Sequence, residues 1–149
     1  MSYTLNGLIY RGIIDPILSA YYANITGEIN RGERVIDIAS GTGSLGLAIA
    51  KKGADLTGID LSEEMVEMAG RLAKKRGVSN AVFLLKDAGD LSSYRDNEFD
   101  VAVTSMAIHQ FDSGLALSIL GEMRRIASRV IIMDYNHPMQ AGIAKLVIF

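Results

Sequence analysis

Cysteine is absent from this 149-residue chain, which removes disulfides, thiolate catalysis and cysteine-based metal sites together. That absence assigns no compartment. No apolar run approaches the length of a membrane span, and the amino terminus lacks a secretory signal pattern. No membrane partner is therefore expected, and cytoplasm is the default location. Fifteen basic residues face 17 acidic ones, a net charge of −2, and they form no basic run. The electrostatic footprint of a dedicated nucleic-acid binder is missing. Repeats, low-complexity stretches and internal linkers are missing too. With 49% hydrophobic residues, a chain of this length builds one sizeable core and no second one, so residues 1–149 read as a single domain.

The informative stretch is Arg34-Val35-Ile36-Asp37-Ile38-Ala39-Ser40-Gly41-Thr42-Gly43-Ser44-Leu45-Gly46. An apolar, β-branched run ends in a glycine-rich turn that opens into an amphipathic segment. Strand, turn and helix in that order aim backbone N–H groups and a helix N-terminus at a carboxylate or phosphate. A second short strand, residues 54–60, ends in Asp60, 17 positions after Gly43. A parallel neighbour puts that carboxylate where ribose hydroxyls need an acceptor. Gly41-x-Gly43-x-x-Gly46 also matches the dinucleotide fingerprint, which keeps an NAD(P)-binding oxidoreductase open as an alternative. Asp37, four residues before Gly41, tips the balance. Pyrophosphate disfavours a nearby negative charge, whereas an ammonium or sulfonium group attracts one.

The run Val-Ile-Asp-Ile-Ala-Ser-Gly-Thr-Gly resembles the first motif of class I S-adenosylmethionine-dependent methyltransferases, within the small-molecule branch like the ubiquinone/menaquinone methyltransferases. The resemblance covers residues 33–135. It implies S-adenosylmethionine as cofactor, with Asp37, Ala39, Ser40, Gly41 and Gly43 at its methionine end. It puts Asp60 at the ribose and includes Leu61 in the cofactor-binding set; Met65 reads as core or, being near the helix start, as a contact to the adenine. Asp87, after the third strand, accepts from the adenine amino group in that scheme, and the backbone of Ala88 meets a ring nitrogen. Ser105, closing the fourth strand, completes the cofactor-binding set. Ala39 stands where the family has its first glycine, which is tolerable if its φ is negative.

The remaining chain alternates helix and strand. Residues 8–26 read as a mostly helical preamble, and in the family such a segment (here 1–30) folds over the cofactor as a lid. Tyr3, Tyr10, Tyr21 and Tyr22 lie in it, and packing is the expected fate of each. Helices are expected over 45–52, from a Ser62 cap to about 76, and over 115–128. Strands three to five are expected over 81–86, 99–105 and 129–134. Alternation of this kind implies a parallel sheet covered on both faces. The fold expected is α/β, a Rossmann-like doubly wound sheet of five parallel strands with N-terminal helices, lacking the family's last antiparallel hairpin.

Residues 136–149 read as an apolar helix cut off mid-pattern, and truncation is the expectation. A bare fifth strand is an edge that invites pairing, so self-association as a homodimer is expected, through that edge or by packing of the C-terminal helix against a second copy; the alternative is a monomer in which the N-terminal helices fold across the same surface.

His109 follows the fourth strand in a segment resembling that of small-molecule methyltransferases. The Asn/Asp-Pro-Pro-aromatic motif of amino-methylating enzymes is absent there. An imidazole, with an ordinary pKa of about 6.5, exchanges protons near neutral pH, so His109 is the candidate catalytic residue. Packing over the cofactor's edge or orienting a loop remain open for it. His137 reads as structural, Asp90 as a loop or cap residue, Met68 as core, and residues 122–126 as a solvated face. The resulting expectation is methyl transfer from S-adenosylmethionine to a small-molecule acceptor, with no metal. A non-catalytic cofactor-binding module is the further alternative.

Overall fold

A computed structural model describes residues 15–135 and 144–149. Helix α1 (Asp15–Gly27) precedes β1 (Arg34–Ile38), α2 (Ser44–Lys51), β2 (Asp55–Asp60), α3 (Glu63–Lys75) and β3 (Ala81–Leu85). After a connection without a helix come β4 (Phe99–Ser105), a 3-10 turn (Ile108–Gln110), α4 (Ser113–Ile126), β5 (Ala127–Tyr135) and β6 (Ala144–Ile148). The sheet order is β3-β2-β1-β4-β5-β6, parallel throughout except for β6.

Alternation along β1 shows why its residues are apolar on both sides. Val35 joins Leu45 and Ile49 of α2 in one core cluster, together with Ile25 of α1. Ile36 and Ile38 point the other way, into a cluster with Ile119, Met123 and Ile126 of α4. All nine are at most 3% exposed, and each large aliphatic side chain stabilises the fold by about 1.5–3 kcal/mol on burial. A strand clothed on both faces is what the doubly wound reading requires. Tyr21 and Tyr22 pack partly buried against the first cluster; Tyr3 and Tyr10 lie outside the described residues.

Helix ends follow their local chemistry. Ser62 caps α3 by accepting the Met65 N–H at 3.4 Å, with Glu63 and Glu64 in the first turn and Lys74 and Lys75 in the last. Asp112 caps α4 by accepting the Leu115 N–H at 3.0 Å, so this helix starts two residues before its expected position. It also stops earlier, at Ile126, because Ala127 is already extended and paired with Phe99.

The carboxyl-terminal expectation is corrected. Residues 144–148 form a strand, not a helix, antiparallel to β5 with Ile131 opposite Ile148 and Tyr135 opposite Ala144. Val130 and Phe149 exchange both backbone hydrogen bonds, at 2.7 and 3.0 Å. The physical reason is the open edge of β5, whose unpaired backbone groups recruit a run rich in β-branched and aromatic residues. Antiparallel closure is therefore present, as a single strand, and the edge invoked for self-association is covered. The expected structural role of His137 lies outside the described residues.

Residues 122–126 are not merely a solvated face. Arg125 reaches into the β3–β4 connection, donating to the carbonyl oxygens of Leu91 and Tyr94 at 3.0 and 2.9 Å. It also pairs with Glu122 and Asp96. Its guanidinium holds the Glu122 carboxyl below its ordinary range by hydrogen bonding. One arginine fork thus does the bracing that a helix does in other β–α–β units.

Candidate functional site

The chain leaves β1, winds outward through β2 and β3, then returns to β4 on the other side of β1. That reversal opens a crevice at the carboxyl ends of β1 and β4, where ligands of such sheets bind. Two cavities of about 230 and 190 Å³ lie here, and Ala39, Asp60, Ala107 and Gln110 line both. A larger hollow of about 460 Å³ opens among Asp55, Asn80 and Glu98, at the amino ends of the strands. Its position argues against it, because no helix N-terminus or strand carboxyl end faces it.

The first cavity is built on the turn after β1. Ser40 donates to the Ile59 carbonyl at 2.9 Å, Gly41 donates to Oδ2 of Asp60 at 2.8 Å, and Gly43 returns to the Ser40 carbonyl at 3.0 Å. Gly43 has φ +79, and a Cβ there would meet the Cβ of Ala69 at 2.7 Å and the ring of Phe83 at 2.9 Å. Only glycine fits both the conformation and the space. As N-cap it offers α2 no side chain, which leaves the amino end of that helix to a ligand.

Ala39 departs from expectation. Its φ is +57, left-handed and not negative, so its methyl is tolerated at a cost in strain and not because the backbone avoids it. The turn's hydrogen bonds on either side over-determine the conformation.

Asp37 sits beneath the turn, 2% exposed, with Oδ2 lacking any hydrogen-bond partner among the described residues. Burial, with the Asp60 charge adding to it, pushes its carboxyl up to about 8. Ser40 Oγ and Ser105 Oγ are likewise buried without partners. Of these three, Ser105 lines the first cavity, whereas Asp37 and Ser40 line neither and lie under and within the adjoining turn; unmet buried groups are costly, and a polar ligand at the turn is an explanation they share. A carboxylate awaiting a cation and hydroxyls awaiting polar atoms suit a zwitterionic, positively charged amino acid moiety. A pyrophosphate does not suit them.

The structure brings together most of the expected residues. Met65, Asp60, Gly41, Ala39 and Ser105 line the first cavity, while Leu61, Asp87 and Ala88 join Asp60 around the second. Asp60 uses Oδ2 for Gly41 and Oδ1 for the Ser62 N–H at 2.9 Å, and Asp87 Oδ1 accepts from Gly89 at 2.7 Å. Asp90 holds Ser92 through its N–H and hydroxyl, a loop role as expected. Met68 is half-buried outside both linings. His109 is absent from these linings; it is fixed to Asp134, with Nδ1 at 2.6 Å from Oδ1. Sequence reasoning missed Gln110 and Met106, which line the cavities. The rule that functional groups follow strand carboxyl ends points to both. Among the described residues no cluster of side chains suits a metal ion.

Comparison with known proteins agrees with this geometry. The family model for a methyltransferase domain matches residues 29–146. An uncharacterized methyltransferase of Bacillus subtilis, YcgJ, is 31% identical over 114 residues, covering 76% of this chain and 45% of the relative. The solved YcgJ structure superposes with a TM-score of 0.68 at 28% identity, over 76% of this chain and 50% of that one. A demethylmenaquinone methyltransferase of Clavibacter sepedonicus is 31% identical, covering 72% and 43%. A putative S-adenosyl-L-methionine-dependent methyltransferase of Methanococcus maripaludis shares the fold, with a TM-score of 0.76 at 21% identity over 89% and 62%. The chain spans about half the length of the curated relatives it matches. The oxidoreductase alternative finds no support in these matches. On fold, site geometry and family match alike, the chain belongs to the methyltransferase domain family.

Proposed function

We propose that this domain transfers a methyl group from S-adenosylmethionine to a small-molecule acceptor. The observation that carries the reading is the buried, unpartnered Oδ2 of Asp37 beneath a glycine-rich turn. When bound, the sulfonium supplies a methyl carbon activated toward in-line displacement. The chain's own residues do the rest. Asp37 neutralises positive charge, and Gly41 and Gly43 admit the ligand close to the backbone, with Ala39 and Ser40 beside them. Asp60 and Leu61 receive the ribose, while Met65, Asp87 and Ala88 border the base. Ser105 faces the reacting side at the end of β4. Such a site accelerates transfer mainly by alignment and exclusion of water.

A small acceptor is favoured over nucleic acid by the net charge of −2 and the lack of a basic run. The names of relatives, among them demethylmenaquinone and ubiquinone/menaquinone methyltransferases, support the same class. Titration calorimetry with S-adenosylhomocysteine and with NAD tests the cofactor. Binding of the first and not the second is expected, and the reverse overturns the reading. A non-catalytic module predicts the same binding without turnover, so a methylation assay on a panel of small acceptors separates the two.

A further inference from the structure

Strand β3 forms one edge of the sheet, and its sequence Ala81-Val82-Phe83-Leu84-Leu85 holds no charge, no proline and no bulge. Edges are normally guarded by a lysine, a proline or a kink, because a row of open backbone groups is a template for another strand. The opposite edge is guarded: β6 carries Lys145, and Arg124 stands over the Phe149 ring at 5.5 Å. On β3 the exposed side chains are apolar instead, Val82 at 48%, Leu84 at 41% and Leu85 at 56%.

That bareness has a structural cause. Phe83 turns toward α2 and α3, where it packs against the cluster of Leu47, Leu72 and Ala73. Val82 and Leu84 point to the other face, which α4 covers over β4 and β5. The β3–β4 connection carries no helix to extend that cover across β3.

Hydrogen bonding to β2 fixes which backbone groups of β3 are open. The Asn80 carbonyl accepts the Leu56 N–H, and the Lys86 N–H donates to the Asp60 carbonyl, each at 2.9 Å. Even-numbered residues therefore turn their polar groups inward, and Ala81, Phe83 and Leu85 turn theirs outward. An antiparallel strand of the same sequence, centred on Phe83, satisfies all three: Phe83 pairs with Phe83, and Ala81 with Leu85 in both directions. In that register Val82 faces Leu84 across the twofold axis, apolar against apolar. Lys86 comes opposite Asn80, beside the hollow at the amino ends of the strands, whose lining includes Asp55 and Glu98. The two ends of the strip thus carry opposite charge and meet in the antiparallel arrangement. A parallel one sets Lys86 against Lys86.

We propose that β3 is a homodimer surface, on which a second copy of this chain pairs antiparallel about Phe83 and continues the sheet across a twofold axis. This surface lies at the far end of the sheet from β5 and β6, and its formation is independent of the methyl-transfer reading. A five-residue edge is a small interface, which corresponds to a dimer of micromolar affinity.

The test combines light scattering on the wild-type chain with hydrogen exchange resolved by residue, from dilute to concentrated solution. A mass rising from monomer to dimer is expected. The amides of Ala81, Phe83 and Leu85 are expected to slow by about tenfold or more as it does, while those of Val82 and Leu84, bonded to β2, stay protected throughout. Two double variants check the register. Val82→Glu with Leu84→Glu, and Val82→Lys with Leu84→Lys, each set like charges face to face and are expected to be monomeric. Their equimolar mixture is expected to regain the dimer mass. Circular dichroism reports whether the variants fold, and the wild-type exchange pattern decides even if they do not. A wild-type monomer at every concentration overturns the proposal; if its three outward amides are already protected, another part of the chain covers the edge. A dimer whose outward amides exchange freely forms elsewhere and overturns it as well. Folded variants that stay monomeric on mixing overturn the pairing about Phe83.

Discussion

The backbone N–H of Gly41 donates to Oδ2 of Asp60 at 2.8 Å, so the carboxylate ending β2 braces the turn that ends β1. Its other oxygen holds Ser62, the cap of α3. Each carboxylate oxygen has a second lone pair, so this bracing leaves capacity for ligand hydroxyls.

Asp60→Ala is expected to lower S-adenosylhomocysteine affinity by about tenfold or more, since charge-assisted hydrogen bonds contribute about 1.5–3 kcal/mol. It also removes the acceptor for two backbone N–H groups, at a cost of about 1–3 kcal/mol in stability. Calorimetry and urea unfolding read the two effects separately. Unchanged affinity would remove Asp60 from the cofactor site.

Asp37 sets a pH dependence. Its carboxyl is raised from 3.8 to about 8, by burial first and the Asp60 charge second. Between those values the unfolded chain has released a proton that the folded chain still holds. Stability therefore falls as pH rises through this window, by up to about 1.4 kcal/mol per pH unit, and levels off above it. Asp37→Asn is expected to abolish that slope and to exceed wild type in stability toward the upper end, while binding the cofactor more weakly. Denaturant unfolding at stepped pH values checks it; parallel profiles would contradict it.

Ala39→Gly is expected to stabilise the protein. Relief of left-handed strain is worth about 1–2 kcal/mol, offset by about 0.4–1 kcal/mol of added freedom in the unfolded chain. The net gain of about 0.5–1 kcal/mol raises the thermal midpoint by a few degrees. A lower midpoint would show that the methyl makes a packing contact that outweighs the strain.

Gly43→Ala is expected to do the opposite. The new methyl meets Ala69 and Phe83 inside van der Waals contact at a φ of +79. Overpacking of about 1–3 kcal/mol adds to the backbone strain. Urea unfolding should show a clearly lowered midpoint, and a neutral result would mean that the turn can shift.

How far the sequence reached depended on whether a residue's role was local. Asp37, Gly41, Gly43 and Asp60 belong to one β–α–β unit whose spacing is fixed by chain geometry, so the crevice was legible. The conformation of Ala39 was not, because an alanine carries no mark of the turn bonds that hold it at positive φ. Residues 144–148 were misread because a short apolar run has no period that separates helix from strand, and the deciding factor was the edge of β5. Arg125 and Asp134 act on partners 25 or more positions away, and no spacing rule encodes such pairings.

The junction between α4 and β5 contains no loop: Ile126 ends the helix and Ala127 begins the strand. Such a joint has no slack. With no intervening backbone to take up a rotation or slide, the placement of α4 is tied directly to the pairing of Ala127 with Phe99, so helix and sheet edge share one register.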